Sequence, residues 1–209
     1  MIYDPEEDSF LLQKFVKKYA KGLVLDMGTG SGIQAVTASE NADLVIGLDI
    51  SKEVIKYCKK NVKAKNIQFF KSNLFEVFED NFFFYDKFDN KILVYDKKKV
   101  NDREKLKTLV KKQVKFDVIV FNPPYLPQEL QERDERLEGG KKGYEVIAKF
   151  LDKVSNYLKK DGKVLLLFSS FTNKGKIDLL IKKNNLRFVE LEKKHIFFED
   201  LYVYYIAKV

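Results

Sequence analysis

The chain has one cysteine, one histidine, four prolines and only four arginines among its 39 basic residues. Each scarcity closes off a class of protein. A lone Cys58 excludes a disulfide within the chain and any zinc site built on cysteines; it is expected to pack as a small apolar residue on a helix. Neither a metal site nor a nucleophilic triad can be read from the other polar residues, and His195, set among charged neighbours, reads as a surface or turn histidine. No apolar run approaches the roughly 20 residues a membrane span needs; stretches such as 163–168 are strand-length. The start, Met1 to Asp8, is acidic and lacks the basic and apolar regions of a signal peptide. A cytoplasmic protein with no membrane association is therefore expected. The shortage of arginine, whose planar fork suits phosphates and base edges, weakens a nucleic-acid reading of the net charge of +8.

That charge is also local. Residues 97–115 carry nine Lys/Arg against Asp102 and Glu104, a net +7, and the rest of the chain is nearly neutral. With 209 residues, 45% of them hydrophobic, the chain fits a single α/β domain over 1–209 with a well-buried core. Strand signals at 22–27, 43–49, 66–71, 116–121 and 163–169 alternate with helix-length amphipathic stretches at 31–39, 51 onward, 144–158 and 173–183. Two closing strands follow at about 186–193 and 200–207. This rhythm predicts a Rossmann-like α/β fold, a mostly parallel seven-stranded sheet with helices on both faces. Residues 76–115 interrupt it as an insertion: a hairpin from 82–85 and 92–95 around Asp89-Asn90, then a basic helix over about 102–113.

Asp26-Met27-Gly28-Thr29-Gly30-Ser31-Gly32 sits where the first strand hands over to a helix. Glycines at alternate positions permit dihedrals closed to other residues and let a ligand lie against bare backbone. Asp49 ends the second strand, where a carboxylate can grip two ribose hydroxyls. The last glycine comes two residues after the second rather than three, a spacing that resembles the methyltransferase motif more than the dinucleotide one.

Asn122-Pro123-Pro124-Tyr125 leaves the fourth strand at the same sheet edge. Prolines 123, 124 and 127 make this loop stiff and preset. The Asn122 carboxamide oxygen can accept one N–H of a substrate –NH2, a proline carbonyl the other, and Tyr125 offers a face to a planar amide or base. Aim matters because an amide lone pair is delocalised into its carbonyl, so orientation is the catalytic contribution on offer.

Together with Pro5-Glu6-Glu7-Asp8-Ser9 and Gly139-Gly140-Lys141-Lys142-Gly143, these motifs make the chain resemble a HemK-type N5-glutamine methyltransferase. The resemblance is to the short archaeal and eukaryotic branch acting on class I translation release factors, and covers all but about 76–115. It implies S-adenosyl-L-methionine as cofactor, with Asp8 and Ser9 over its methionine part, and a Gly-Gly-Gln glutamine held by Asn122 and Tyr125. Where the family usually has Asp-Leu-Phe, this chain has Asn73-Leu74-Phe75; the asparagine can still accept from the adenine amino group. Motif and resemblance together give a cofactor-binding set of Asp8, Ser9, Asp26, Gly28, Gly30, Gly32, Asp49, Ile50, Asn73, Leu74 and Asn122. The catalytic set is Asn122, Pro123 and Tyr125. The resemblance also implies a release factor as substrate and a small zinc-binding activator subunit as partner, while 97–115 offers a surface for nucleic acid. Two other readings stand beside it. One is an N6-adenine methyltransferase on DNA or RNA, since the exocyclic amine of adenine presents the same –NH2 geometry; the other is a non-catalytic cofactor-binding or RNA-docking module, against which the intact Asn122 to Tyr125 segment argues.

Overall fold

Leu23, Leu25 and Met27 alternate with Val24 and Asp26 along β1 (Gly22–Met27), and all five are buried. A strand covered on both faces must lie at the centre of a sheet. In the computed structural model, which describes residues 4–86, 91–96, 114–124 and 143–209, β1 pairs in parallel with β2 (Ala42–Asp49) on one side and β6 (Phe116–Phe121) on the other. β3 (Ile67–Lys71) extends the sheet beyond β2, and β7 (Leu158–Ser169) extends it beyond β6, again in parallel. β9 (Glu199–Lys208) and β8 (Leu186–Ile196) close it as an antiparallel pair. The order is β3-β2-β1-β6-β7-β9-β8, seven strands, with β4 (Asn81–Asp86) and β5 (Lys91–Asp96) forming a separate antiparallel pair.

Helices cover both faces. On one side, α1 (Glu7–Tyr19), α2 (Ile33–Ser39) and α3 (Lys52–Asn61) pack Leu12, Val16, Ala35, Ala38 and Cys58 against Val24, Val45, Val118 and Leu165. On the other, the short α4 (Glu76–Asp80), α5 (Glu145–Tyr157) and α6 (Lys174–Lys183) flank a second core of Leu25, Ile46, Ile119, Leu166, Phe150 and Ile177. Ser51 caps α3: its side chain accepts from the Val54 N–H at 3.3 Å.

Three features differ from the sequence expectation. α1 has no counterpart in the expected elements, although its Leu11, Leu12, Phe15 and Val16 are all buried. β7 starts at Leu158 rather than 163, because Phe116 pairs with Leu158 before the register jumps to Val118 opposite Lys163. The final strands are longer than expected and meet in a tight turn at Phe197-Phe198. The basic helix expected over 102–113, most of the charged stretch 97–115, Tyr125 and Gly139 to Lys142 lie outside the described residues. Among the described residues no helix is long and apolar enough to cross a membrane.

Candidate active site

β1 is followed by β2 on one side and, after the chain returns, by β6 on the other. The strand order therefore reverses between β1 and β6, and open α/β sheets form their ligand crevice at the C-terminal ends of such neighbours. The glycine turn leaves β1 and Asn122 leaves β6, so both motifs border that crevice.

The turn is built from the inside. Asp26, 2% exposed, accepts from the Thr29 hydroxyl at 2.6 Å and the Ala35 N–H at 3.0 Å on the same oxygen, Oδ2. Burial pushes its carboxyl up to about 7, against those two hydrogen bonds and with a smaller push from Asp49. In the structure Asp26 thus braces the turn and the start of α2. Gly28 and Gly30 have φ of 68° and 52°, where a side chain would be strained. A Cβ on Gly28 would come no nearer than 3.7 Å to Phe121, and one on Gly30 no nearer than 3.9 Å to the Gly28 carbonyl. The backbone here is open on the side where a ligand would lie. Gly32 serves packing instead: its Cβ would press on Val62 and Cys58. Cys58, fully buried on α3 as expected, donates to the Gly30 carbonyl at 3.3 Å, and burial with the nearby Asp26 and Asp49 pushes its thiol up to about 12.

Asp49 stands across from the turn. Its carboxylate accepts from the Gly30 N–H at 3.1 Å and the Ser51 N–H at 2.8 Å, and burial raises its pKa despite these bonds. Ile50 beside it is 64% exposed, an apolar face with nothing over it among the described residues. Past β3, Asn73 donates from its side-chain amide to Glu76 at 2.9 Å, and Leu74 takes a φ of 47° with its carbonyl held by the Ser72 hydroxyl.

The far rim is formed by α1 and β6. Asn122 Nδ2 donates to Asp8 Oδ2 at 2.8 Å, whereas Asn122 Oδ1 is shut off from solvent and has no hydrogen-bond partner among the described residues. Pro123 is buried directly after it. Asp8 and Ser9 are buried in the first turn of α1, and Gln34 on α2 donates to the Ser9 carbonyl at 2.8 Å. Glu199 at the start of β9 accepts from the Ser169 hydroxyl at the end of β7; burial and the proximity of Asp8 raise its pKa. The structure thus brings Asp8, the glycine turn, Asp49 and Asn122 to one sheet edge. Thr29, Gln34 and Glu199 are additions that sequence reasoning did not single out, since nothing in their spacing separates them from ordinary helix, turn and strand polar residues.

Known proteins resemble this chain in sequence and in fold. The Eco57I restriction-modification methylase family model matches residues 43–198. A Methanocaldococcus jannaschii chain described as a protein N5-glutamine methyltransferase is 33% identical over 97% of this chain and 89% of its own length. The Bacillus cereus release factor glutamine methyltransferase is 28% identical over 73% of this chain, which spans 47% of that longer protein. Among solved structures, a chain of the E. cuniculi Mtq2–Trm112 complex, responsible for methylation of the eRF1 translation termination factor, superposes with a TM-score of 0.67 at 20% identity, covering 100% of this chain and 99% of that one. Fold, crevice and relatives converge: the chain is a Rossmann-like, S-adenosylmethionine-dependent methyltransferase and belongs to the HemK-type protein N5-glutamine methyltransferases, in their short archaeal and eukaryotic branch.

Proposed function

We propose that the protein methylates the side-chain nitrogen of a glutamine, in a Gly-Gly-Gln segment of a class I translation release factor. The observation that carries this is Asn122 Oδ1, a buried acceptor without a partner among the described residues, beside a glycine turn whose outer face is open. A buried acceptor left unpaired costs about 1–3 kcal/mol, which an incoming –NH2 donor would relieve.

The residues present fit the cofactor. Gly28 and Gly30 would let its amino-acid end lie on the backbone, Asp49 would accept the ribose hydroxyls, and Ile50 and Leu74 would flank the adenine. The Asn73 amide, its donor end already given to Glu76, would keep its oxygen for the adenine amino group. When bound, S-adenosylmethionine supplies an electrophilic methyl on sulfur. The chain's task is then to aim a weak nucleophile. Asn122 Oδ1 accepts one N–H of the substrate amide, and a carbonyl of the Pro123-Pro124 segment accepts the other. A nitrogen held by these two acceptors would have its lone pair aimed at the methyl that the cofactor supplies, and once alkylated it would be acidic enough to give its extra proton to water. Orientation is the main contribution, so no strong base is needed.

The match to a restriction-modification methylase model favours a second reading, transfer to the exocyclic amine of adenine in DNA or RNA. The described rim speaks for the peptide. An acidic side chain, Asp8, meets Asn122, and a second, Glu199, lies close enough to Asp8 to feel its charge, whereas flipped-base enzymes need positive surface for the phosphates around their pocket. By analogy with the E. cuniculi complex, a small partner subunit belongs to this reading. Residues 97–115 are proposed as a docking surface for an acidic or RNA-bearing partner. The test is methyl transfer from labelled cofactor to a recombinant class I release factor, with and without its Gly-Gly-Gln glutamine replaced by glutamate. The label should enter only the factor that keeps its glutamine; equal labelling of both removes the glutamine as the methylated residue.

A further inference from the structure

A carboxamide presents two unlike ends on nearly the same shape, and an asparagine that must accept a hydrogen bond has to be kept from turning its amino end to the substrate. Rotation of the Asn122 carboxamide by half a turn would put nitrogen where the unpartnered oxygen now lies. It would also set the amide oxygen against Asp8 Oδ2, 2.8 Å from the present nitrogen. An ionised carboxylate only accepts hydrogen bonds, so two acceptors would then face each other in a buried place. The orientation observed is the one in which Asp8 takes the donor end and Oδ1 is left over.

Asp8 is itself held in place. It is 5% exposed in the first turn of α1, and that helix is tied to the body of the molecule at several points. Lys194 on β8 pairs with Glu7 at 2.6 Å, Gln34 on α2 donates to the Ser9 carbonyl at 2.8 Å, and Gln13 donates to the Thr37 hydroxyl at 2.9 Å. Leu11, Leu12, Phe15 and Val16 anchor the buried face. The carboxylate is therefore delivered to Asn122 by a rigid element, the condition under which one hydrogen bond can set the direction of another side chain.

We infer that Asp8 is a positioning residue for methyl transfer: it fixes the Asn122 carboxamide in the orientation that presents Oδ1 to the substrate –NH2. This rests on the proposed role of Asn122 as the substrate acceptor. It assigns Asp8 to the substrate side of the site through Asn122, whereas the family resemblance implies only proximity to the methionine part of the cofactor. Asp8 needs no contact with the substrate, and its loss acts by letting the carboxamide populate both orientations.

The experiment uses the full chain as wild type, Asp8→Ala, Asp8→Asn, Asn122→Ala and the Asp8→Ala/Asn122→Ala double variant. A recombinant class I release factor is the substrate; kcat, KM and, by calorimetry, cofactor affinity are measured for each. Cofactor binding also reports that each variant is folded. Asp8→Ala should lower kcat on the order of tenfold to a hundredfold, the scale of a misaimed reacting group, with KM and cofactor affinity changed only a few-fold. Asp8→Asn, whose carbonyl oxygen can still accept from Asn122 Nδ2, should recover most of that loss. The double variant should be no slower than Asn122→Ala alone, because residues acting as a unit are non-additive. Losses that multiply in the double variant overturn the inference. So does an Asp8→Ala protein with intact kcat and weakened cofactor binding, which would make Asp8 a cofactor ligand only. An Asn122→Ala enzyme near wild type brings down the acceptor reading and this inference together, an outcome distinct from the other two because there Asn122→Ala is impaired.

Discussion

Two aspartates show how residues of one type, 23 positions apart, take different work from their surroundings. Asp49 is half-buried, and its carboxylate is shared between two backbone N–H groups at the crevice edge. Its replacement by alanine should weaken S-adenosylmethionine binding by about 1.5–3 kcal/mol, the range for charge-assisted hydrogen bonds. Calorimetry on folded protein checks this, and unchanged affinity would take Asp49 out of the site. Asp26 is buried and its carboxyl is pushed up to about 7 from 3.8. In that window the native state keeps a proton the unfolded chain gives up, so Asp26 makes stability fall as pH rises from about 4 to 7, by up to about 1.4 kcal/mol per pH unit. Asp26→Asn should remove this slope while keeping the brace, since one amide oxygen can accept from both Thr29 and Ala35 as Oδ2 does now. Asp49 and Glu199, also raised by burial, are common to both proteins. Urea unfolding at pH 5 and 7.5 compares the pair; an equal loss in both would mean that Asp26 is ionised throughout. The glycine turn and Asp49 were legible because their spacing is tied to backbone geometry. The engagement of Asp26 with Thr29 and Ala35 was not, because a side chain bonding to its own turn leaves no periodic mark.

Among the elements, the sheet was the more legible and its cover the less so. Buried parallel strands write continuous apolar runs such as Leu23 to Leu25 and Val164 to Phe168, and these are hard to mistake. α1 is different. Its apolar residues are diluted by Lys14, Lys17 and Lys18, and its N-cap position, Glu6, makes no side-chain capping bond. Yet the packing of α1 gives Asp8 its fixed address. Leu12 is fully buried between α1 and the sheet, and Leu12→Ala should cost about 2–5 kcal/mol of stability, as other buried leucines do. Denaturant unfolding measures it, and a loss below about 1 kcal/mol would show that α1 is not integral to the core. The start of β7 escaped the sequence pattern for a related reason: Lys159 to Gly162 carry the chain through a register jump, where alternation breaks down.

For the whole molecule, the distribution of charge separates recognition from chemistry. Asn122 is met by the acidic Asp8, with Glu199 close to Asp8, while the excess positive charge of the chain is concentrated in residues 97–115. Neutralising Lys97, Lys98, Lys99, Lys111 and Lys112 should raise the KM for the macromolecular substrate at low salt and leave kcat and cofactor affinity nearly unchanged, because long-range attraction governs encounter and is screened as salt rises. Equal KM for wild type and variant at both low and high salt would reduce these lysines to a solvated surface. Which nitrogen receives the methyl group separates the two functions. The most direct measurement is one incubation of the enzyme with labelled S-adenosylmethionine, a class I release factor and adenine-containing DNA and RNA together, followed by mass spectrometry of every component. Label on the side-chain nitrogen of the Gly-Gly-Gln glutamine, with the nucleic acids unmodified, is the result predicted; label on adenine N6 with the release factor untouched would contradict it.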